Sequence, residues 1–336
     1  MNRKRIAING MGRIGRLVFR KLIQDERFEV CAVNDVRSFD VMTHLLRYDS
    51  EHGGWPLAEL PEYRDGYISV GKQRITVLQE ADAQKLPWNR LGIELVIDCS
   101  GRYTTREKAH AHIDAGAGRV LISGAAGKDV PTIVYGINEN SISIDDAIIS
   151  GASCSTIGLA PLAKALNDLF PIDYGIATTI HALTPTQMVL DNPQSKGDLR
   201  RSRTASTNII PTTAAAAQAV GLVLPELAGK LTGSAIRTPV TRGSLITLHA
   251  VVSHKEVLSA LTLNEGMRKA KSELFDYTED ELVSSDFAGT EYESVFDATQ
   301  TKVGQLSDGK YLVEVAAWFD NETSYVSHFI KLAAIL

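Results

Sequence analysis

Cys154 stands in Gly151-Ala152-Ser153-Cys154-Ser155-Thr156, directly after a strand-like run and ahead of a helical one. A thiol at a helix N-terminus faces the positive end of the helix dipole and ionises more easily, as a nucleophile must. Pro161 complicates this placement, because proline prefers the first turn. The helix, read over Leu159–Leu169, therefore either starts late or is kinked. The local sequence alone also fits a buried structural thiol. His181 lies 27 residues further on, in the strand-like Thr178-Thr179-Ile180-His181-Ala182-Leu183-Thr184. A strand histidine by itself is more often a core or surface residue than a catalyst. A cysteine and a histidine brought together, however, make a nucleophile and its base. Arg200, Arg201, Arg203 and Arg237 are each ordinary solvated cations in isolation, yet jointly they could hold a small anion. The remaining cysteines, Cys31 and Cys99, fall in apolar runs, where cysteine behaves as a small hydrophobe.

A second cluster opens the chain. Gly10-Met11-Gly12-Arg13-Ile14-Gly15 fits the pattern G-x-G-x-x-G, follows a strand-like run and opens a helical one. Glycines there permit a tight turn and close backbone approach, and the helix N-terminus offers N–H groups to a pyrophosphate. Asp35 ends the next strand, 20 residues beyond Gly15, about where a carboxylate meets the adenosine ribose hydroxyls. Strand, turn, helix and acid together predict dinucleotide binding. Asp35 favours NAD, since a carboxylate repels a 2′-phosphate; Arg37, two residues on, leaves NADP use open. With a nicotinamide cofactor expected, Cys154 and His181 gain a reason to act together in covalent catalysis.

The elements that must position these groups come in two textures. Arg5–Asn9, Val30–Asn34, Leu95–Cys99, Val120–Ser123 and Ala147–Ser150 are short, nearly continuous apolar strands, as in sheets covered on both faces. Helices are read at Arg13–Gln24, Phe39–Leu46 and Thr104–Ala115 between them, which predicts an α/β doubly wound parallel sheet. Tyr67–Val70 and Arg74–Leu78 form an inserted hairpin. Beyond Ser153, longer strands (Ile176–Leu183, Lys230–Arg237, Leu245–Val252) predict an α+β domain with a mixed or antiparallel sheet. Asp191–Thr207 reads as a long polar loop, and Ser324–Leu336 as an apolar helix.

Composition sets the outer bounds. The 336 residues suggest about two domains, and 44% apolar with 22% charged residues is the profile of a soluble globular chain. A formal charge of −5 argues against a nucleic-acid surface but not against a local anion site. The start runs into glycines too early for a signal peptide, and no stretch has the ~20 apolar residues of a membrane helix. Three cysteines without metal-ligand spacing suit a reducing cytoplasm and no zinc site. His110 and His112, two apart on a helix, are read as surface residues.

Taken in order, Ile8-Asn9-Gly10-Met11-Gly12-Arg13-Ile14-Gly15-Arg16, Ala32-Val33-Asn34-Asp35, Tyr48-Asp49-Ser50 and Ala152-Ser153-Cys154 resemble the phosphorylating glyceraldehyde-3-phosphate dehydrogenase family. So do Thr178–Ala182, Asn208–Pro211, Pro225–Gly233 and Trp318-Phe319-Asp320-Asn321-Glu322, so the resemblance covers essentially the whole chain. It implies an N-terminal Rossmann NAD-binding domain over 1–153, completed by a C-terminal helix 318–336, and a catalytic domain over 154–317. It implies Cys154 as nucleophile, His181 as base, and a homotetramer. Gly10, Gly12, Arg13, Ile14, Gly15, Asp35, Ser123 and Asn321 match cofactor positions, with Asn321 at the nicotinamide amide. Ser153, Ser155, Thr184, Arg201 and Arg237 match positions for the substrate phosphate and the attacking inorganic phosphate. The implied reaction oxidises glyceraldehyde 3-phosphate to 1,3-bisphosphoglycerate through a thiohemiacetal and a thioester.

The chain departs from the family pattern at several points. Asn usually stands where this chain has Gly151, Asn-Cys where it has Ile157-Gly158, Arg where it has Ala81, and Gly where it has Ser324. A Thr-Gly pair touching the attacking phosphate corresponds to Ala214-Ala215. The lost hydroxyl removes a hydrogen bond to a charged group, about 1.5–3 kcal/mol. That lends weight to a second reading, erythrose 4-phosphate or another phosphorylated aldehyde with hydrolytic release. A non-catalytic NAD-binding paralogue is the third reading, disfavoured because Cys154, His181 and Asn321 are all intact.

Overall fold

The computed structural model describes residues 3–195, 197–213 and 216–336. They form two compact units. The first holds the residues up to Tyr135, Glu139–Ala152 and Val326–Leu336; the second holds Gly136–Asn138 and Ser153–Tyr325.

In the first unit a sheet runs in the spatial order Ile148–Ser150, Arg119–Ile122, Leu95–Asp98, Lys4–Asn9, Phe28–Asn34, Gln73–Leu78, Tyr67–Val70, Glu62–Arg64. The six strands from Ile148–Ser150 to Gln73–Leu78 are parallel, and the last two add an antiparallel hairpin arm. The central strands are apolar on both faces: Ile6, Ala7, Ile8 and Val33 are fully buried, which is why their sequences read as unbroken hydrophobic runs. Lys4–Asn9 lies between Phe28–Asn34 and Leu95–Asp98, so the chain winds outward from it in both directions. In such sheets a crevice opens at the carboxyl ends of these strands.

The second unit carries a mixed sheet in the order Ile210–Thr213, Leu231–Arg237, Ile172–His181, Ser244–Ser253, Lys310–Phe319, Ser294–Ser307, Phe275–Thr278. Ser244–Ser253 alternates buried and less buried residues along its length, the period-2 signature of a sheet with one covered face. The helix Cys154–Leu169 lies against this sheet.

Three expectations are corrected. The final helix does not begin at 318: Trp318 and Phe319 end the strand Lys310–Phe319, and the helix runs Thr323–Ile335. Asp320 makes the break, its Oδ1 accepting the N–H groups of Glu322 and Thr323 at 2.8 and 3.0 Å. Within the first unit that helix is tied down where Lys4 Nζ donates to the Ala333 carbonyl at 2.8 Å. The helix bearing Cys154 is not delayed by Pro161, which sits inside it, since the Ser153 side chain caps the first turn from the Thr156 N–H. His112 is not a surface residue. It is fully buried, its Nδ1 accepts the Trp88 indole N–H at 3.0 Å, and burial pushes its pKa down to about 4. His110 is half-exposed beside Asp114.

The loop between Asp191 and Thr207 contains no helix or strand among its described residues. No helix among the described residues is long and apolar enough to cross a membrane. Ala214 and Ala215 lie outside the described residues. Two family departures have packing reasons: a Cβ on Gly151 would meet Phe329 Cζ at 2.6 Å, and one on Gly158 would meet Phe319 Cδ1 at 2.9 Å.

Candidate active site

The second unit assembles the reactive group from strand ends. Ile172–His181 and Leu231–Arg237 are parallel, and their register sets His181 directly opposite Arg237. The helix Cys154–Leu169 starts beside them and brings Cys154 Sγ to 3.2 Å from His181 Nε2. The chain enters that helix through Ala152, a non-glycine residue at φ 60°. This left-handed turn costs about 1 kcal/mol or more and is the kind of strain retained where a side chain must be aimed.

Electrostatics keep the resting pair uncharged. Burial pushes the Cys154 thiol above its usual range, opposed by the nearby Arg237 guanidinium and by Ser155. Burial, with Arg237 beside it, depresses His181 to about 3. The imidazole is 1% exposed and meets the Phe319 ring edge-on at 5.9 Å. Its Nδ1 lies 2.7 Å from the Ala182 carbonyl and also beside Arg237 Nη1. A proton on Nδ1 satisfies the carbonyl and leaves the Nε2 lone pair facing the thiol as a base. Without it, Arg237 donates to Nδ1 and Nε2–H faces the sulfur as an acid. Both roles are needed in acyl transfer; Arg237, a donor only, bonds Nδ1 in the second tautomer and is left with the Ala182 carbonyl, at 3.0 Å, in the first.

An anion-receptive wall continues from this pair. Burial lowers Arg237 to about 10, and its Nε is buried with no hydrogen-bond partner. An unpaired buried guanidinium N–H is costly, and an incoming phosphate oxygen would relieve it. Arg201 Nε donates to Thr212 Oγ1 at 3.1 Å and Nη1 reaches Thr186 Oγ1 at 3.4 Å, while Thr186 bonds Thr184 at 2.9 Å. Thr184 and Arg201 are joined through Thr186, Cys154 and Arg237 through His181, and the Arg201 charge is felt at both His181 and Arg237; Ser153 and Ser155 flank the sulfur in the chain. Asn321 is buried close by in the same unit, its Oδ1 accepting from Ser244 Oγ at 3.4 Å. The sequence reading missed Ser244, whose Oγ also accepts the Ala182 N–H at 3.1 Å and so holds the strand end behind His181. A lone serine opening a strand carries no signal by which it could have been found.

The first unit holds a cavity of about 380 Å³ at the carboxyl ends of its central strands, lined by Gly10, Gly12, Asp35 and Arg37 among others. A dinucleotide fits this cradle. Gly10 has φ 92° and a Cβ there would meet Ser100 N at 2.6 Å; one on Gly15 would lie 1.9 Å from the Gly10 carbonyl. Above Gly12 the space is open to all but Arg37 Nη2 at 3.7 Å, and Gly12 supplies no capping side chain to the turn that Arg13 and Ile14 open. Backbone N–H groups are thereby left to face a pyrophosphate. Arg13, Ile14, Gly15 and Ser123 do not line the cavity; the Arg13 guanidinium pairs with Asp49 at 2.7 Å. Asn9, Asn34, Ser100, Arg102 and Tyr103 line it without having been singled out. Their shared place at strand ends was the available signal.

Comparison with known proteins places both parts of the chain in one family. Residues 4–106 match the family model described as glyceraldehyde 3-phosphate dehydrogenase, NAD binding domain, and 153–321 match its C-terminal domain. The chain is 46% identical over 330 residues to a glyceraldehyde-3-phosphate dehydrogenase of Clostridium acetobutylicum, covering 98% of this chain and 97% of the relative. It is 46% identical over 327 residues to one from Clostridium pasteurianum (97% and 96% covered). A Streptococcus pyogenes relative of the same name is 44% identical over 328 residues (97% and 96%).

Proposed function

The chain belongs to the glyceraldehyde-3-phosphate dehydrogenase family, and on that premise we propose how its own residues perform the family's reaction. It is an NAD-dependent dehydrogenase that oxidises glyceraldehyde 3-phosphate and phosphorylates the product. The observation that carries the assignment of residues is Cys154 Sγ at 3.2 Å from His181 Nε2, next to the Arg237 guanidinium, whose buried Nε–H has no hydrogen-bond partner.

Cys154 passes its proton to His181 as sulfur adds to the aldehyde carbon, and His181 returns that proton to the carbonyl oxygen, giving a neutral thiohemiacetal and a free imidazole; while the charges exist, each replaces part of the solvation the other would need. His181 then takes the hydroxyl proton, so that oxidation leaves a thioester instead of a stranded alkoxide. NAD, when bound, supplies the hydride acceptor; Gly10, Gly12, Arg13, Ile14, Gly15, Asp35, Ser123 and Asn321 are proposed to hold it. Inorganic phosphate attacks the thioester carbon, the C–S bond breaks, and the acyl phosphate leaves as the sulfur takes the proton held on His181, restoring the Cys154 thiol and the neutral imidazole. Arg201, Arg237, Thr184, Ser153 and Ser155 are proposed to hold the phosphates. The first unit is assigned to cofactor and the second to catalysis.

Initial-rate NADH production with glyceraldehyde 3-phosphate or erythrose 4-phosphate, each with and without inorganic phosphate, tests this. Strict phosphate dependence with the three-carbon aldehyde is expected. Phosphate-independent turnover would instead indicate hydrolysis.

A homotetramer in the cytoplasm is the expected assembly and setting. What supports an assembly is the exposed apolar set Val189, Leu190, Leu199 and Ile209 in and beside the long loop of the second unit, each more than two-thirds exposed, a pattern that marks interaction surfaces. Light scattering on the purified protein should give about four subunit masses, and Leu199→Asp should lower that value. A monomeric wild type would overturn the assembly.

A further inference from the structure

Arg37 lies against Asp35 in the first unit's cavity, and the pairing changes what that carboxylate can do. Asp35 Oδ1 accepts the Arg37 N–H at 3.0 Å and Nε–H at 2.9 Å. Its Oδ2 accepts the Met11 N–H at 2.7 Å and Arg37 Nη2–H at 2.7 Å. A carboxylate offers about four lone-pair sites, so all are taken, half of them by one guanidinium. The Asp35 side chain is 4% exposed and the Arg37 side chain 57%. The buried partner is thus saturated and neutralised while the cation faces the cavity.

Two ribose hydroxyls could reach Asp35 only by displacing Arg37. A 2′-phosphate faces the opposite situation: the charge that would repel it is compensated, and Arg37 retains Nη1–H donors for it. Nη2 also stands 3.7 Å from the Cβ position of Gly12, beside the glycine turn proposed for the pyrophosphate. Arg102 adds a second cation to the wall, whereas the Glu80 carboxylate turns to accept the Asp82 N–H at 2.9 Å. We propose that Arg37 makes this cavity receptive to a 2′-phosphorylated adenosine, so that the enzyme takes NADP as well as NAD. The inference rests on the assignment of this cavity to the adenosine half of the dinucleotide.

Adenosine 2′,5′-bisphosphate and 5′-AMP differ only in the 2′-phosphate and need no catalysis to be read out. Calorimetric titration of the wild type should show the bisphosphate binding at least as tightly as 5′-AMP. In Arg37→Ala the bisphosphate should weaken about 10- to 100-fold, the worth of one or two charge-assisted hydrogen bonds, while 5′-AMP binds more tightly because Asp35 is released. Arg37→Lys should fall between. The ratio of kcat/KM for NADP to that for NAD should drop in parallel. The proposal is overturned if the wild type binds 5′-AMP but not the bisphosphate, or if Arg37→Ala weakens both nucleotides equally. Failure of both nucleotides to bind the wild type would remove the cavity assignment itself, and the proposal with it.

Discussion

Cys154→Ser is expected to abolish aldehyde oxidation, lowering kcat by about 10⁴-fold or more, while NAD affinity stays nearly unchanged. The substitution keeps the side chain's size and its place at the helix start, so the capped turn from Ser153 and the contact with His181 persist. Ionisation is what changes. Burial already lifts the thiol above its usual range; the same burial acts on a hydroxyl whose intrinsic acidity is far lower, and His181, depressed to about 3, is too weak a base to make up the difference. An ester on serine would also be a poorer acyl donor to phosphate than a thioester. Stopped-flow NADH formation and mass spectrometry of the acylated enzyme check both halves. Full turnover, or an acyl adduct on the variant, would remove Cys154 from the role of nucleophile.

The reactive residues were legible in the sequence because their chemistry is encoded locally, whereas the geometry joining them is not. Gly10, Gly12 and Gly15 could be read because a tight turn and close backbone contact leave no room for a side chain, as the contacts around Gly10 and Gly15 show. The parallel strands were readable for a similar reason: burial on both faces imposes unbroken apolar runs such as Arg5–Asn9. The partnership of His181 with Arg237 was not readable in that way. It depends on which strand lies beside Ile172–His181, a register between segments 56 residues apart. Ser294–Ser307 left little trace because the strand is poorly buried from Thr299 onward and opens that stretch with the polar run Thr299-Gln300-Thr301-Lys302. His112 misled for another reason. Its helix, Arg-Glu-Lys-Ala-His-Ala-His-Ile-Asp, has too few apolar residues to announce a buried face, and partners outside the helix, the Trp88 indole, Asn9 and the Tyr103 ring, explain why a histidine lies inward. Pro161 sent a true local signal, but the serine cap and the packing of the helix on its sheet outweigh the one backbone bond that proline forfeits.

His181→Asn should slow oxidation by about 10²- to 10⁴-fold, the usual contribution of a positioned general acid–base group, and should shift Cys154 reactivity to higher pH. The direction follows from the two depressed or raised acidities. In the wild type neither group is charged at neutral pH on its own, since burial raises the thiol and lowers the imidazole to about 3. Transfer between Sγ and Nε2 creates both charges at once at 3.2 Å, so each compensates the desolvation of the other. Asparagine cannot accept the proton. It must then leave for water, and thiolate appears only as the pH rises through the elevated thiol value, with Arg237 as the remaining favourable charge. The rate of Cys154 alkylation by iodoacetamide, followed from pH 5 to about 10, should therefore have its midpoint displaced upward in the variant. Oxidation should recover less at high pH than alkylation does, because the thiohemiacetal hydroxyl still has no base when hydride departs. An alkylation profile identical to that of the wild type would separate His181 from the thiol. Oxidation that recovers fully at high pH would confine the histidine to activating the nucleophile and exclude it from the redox step.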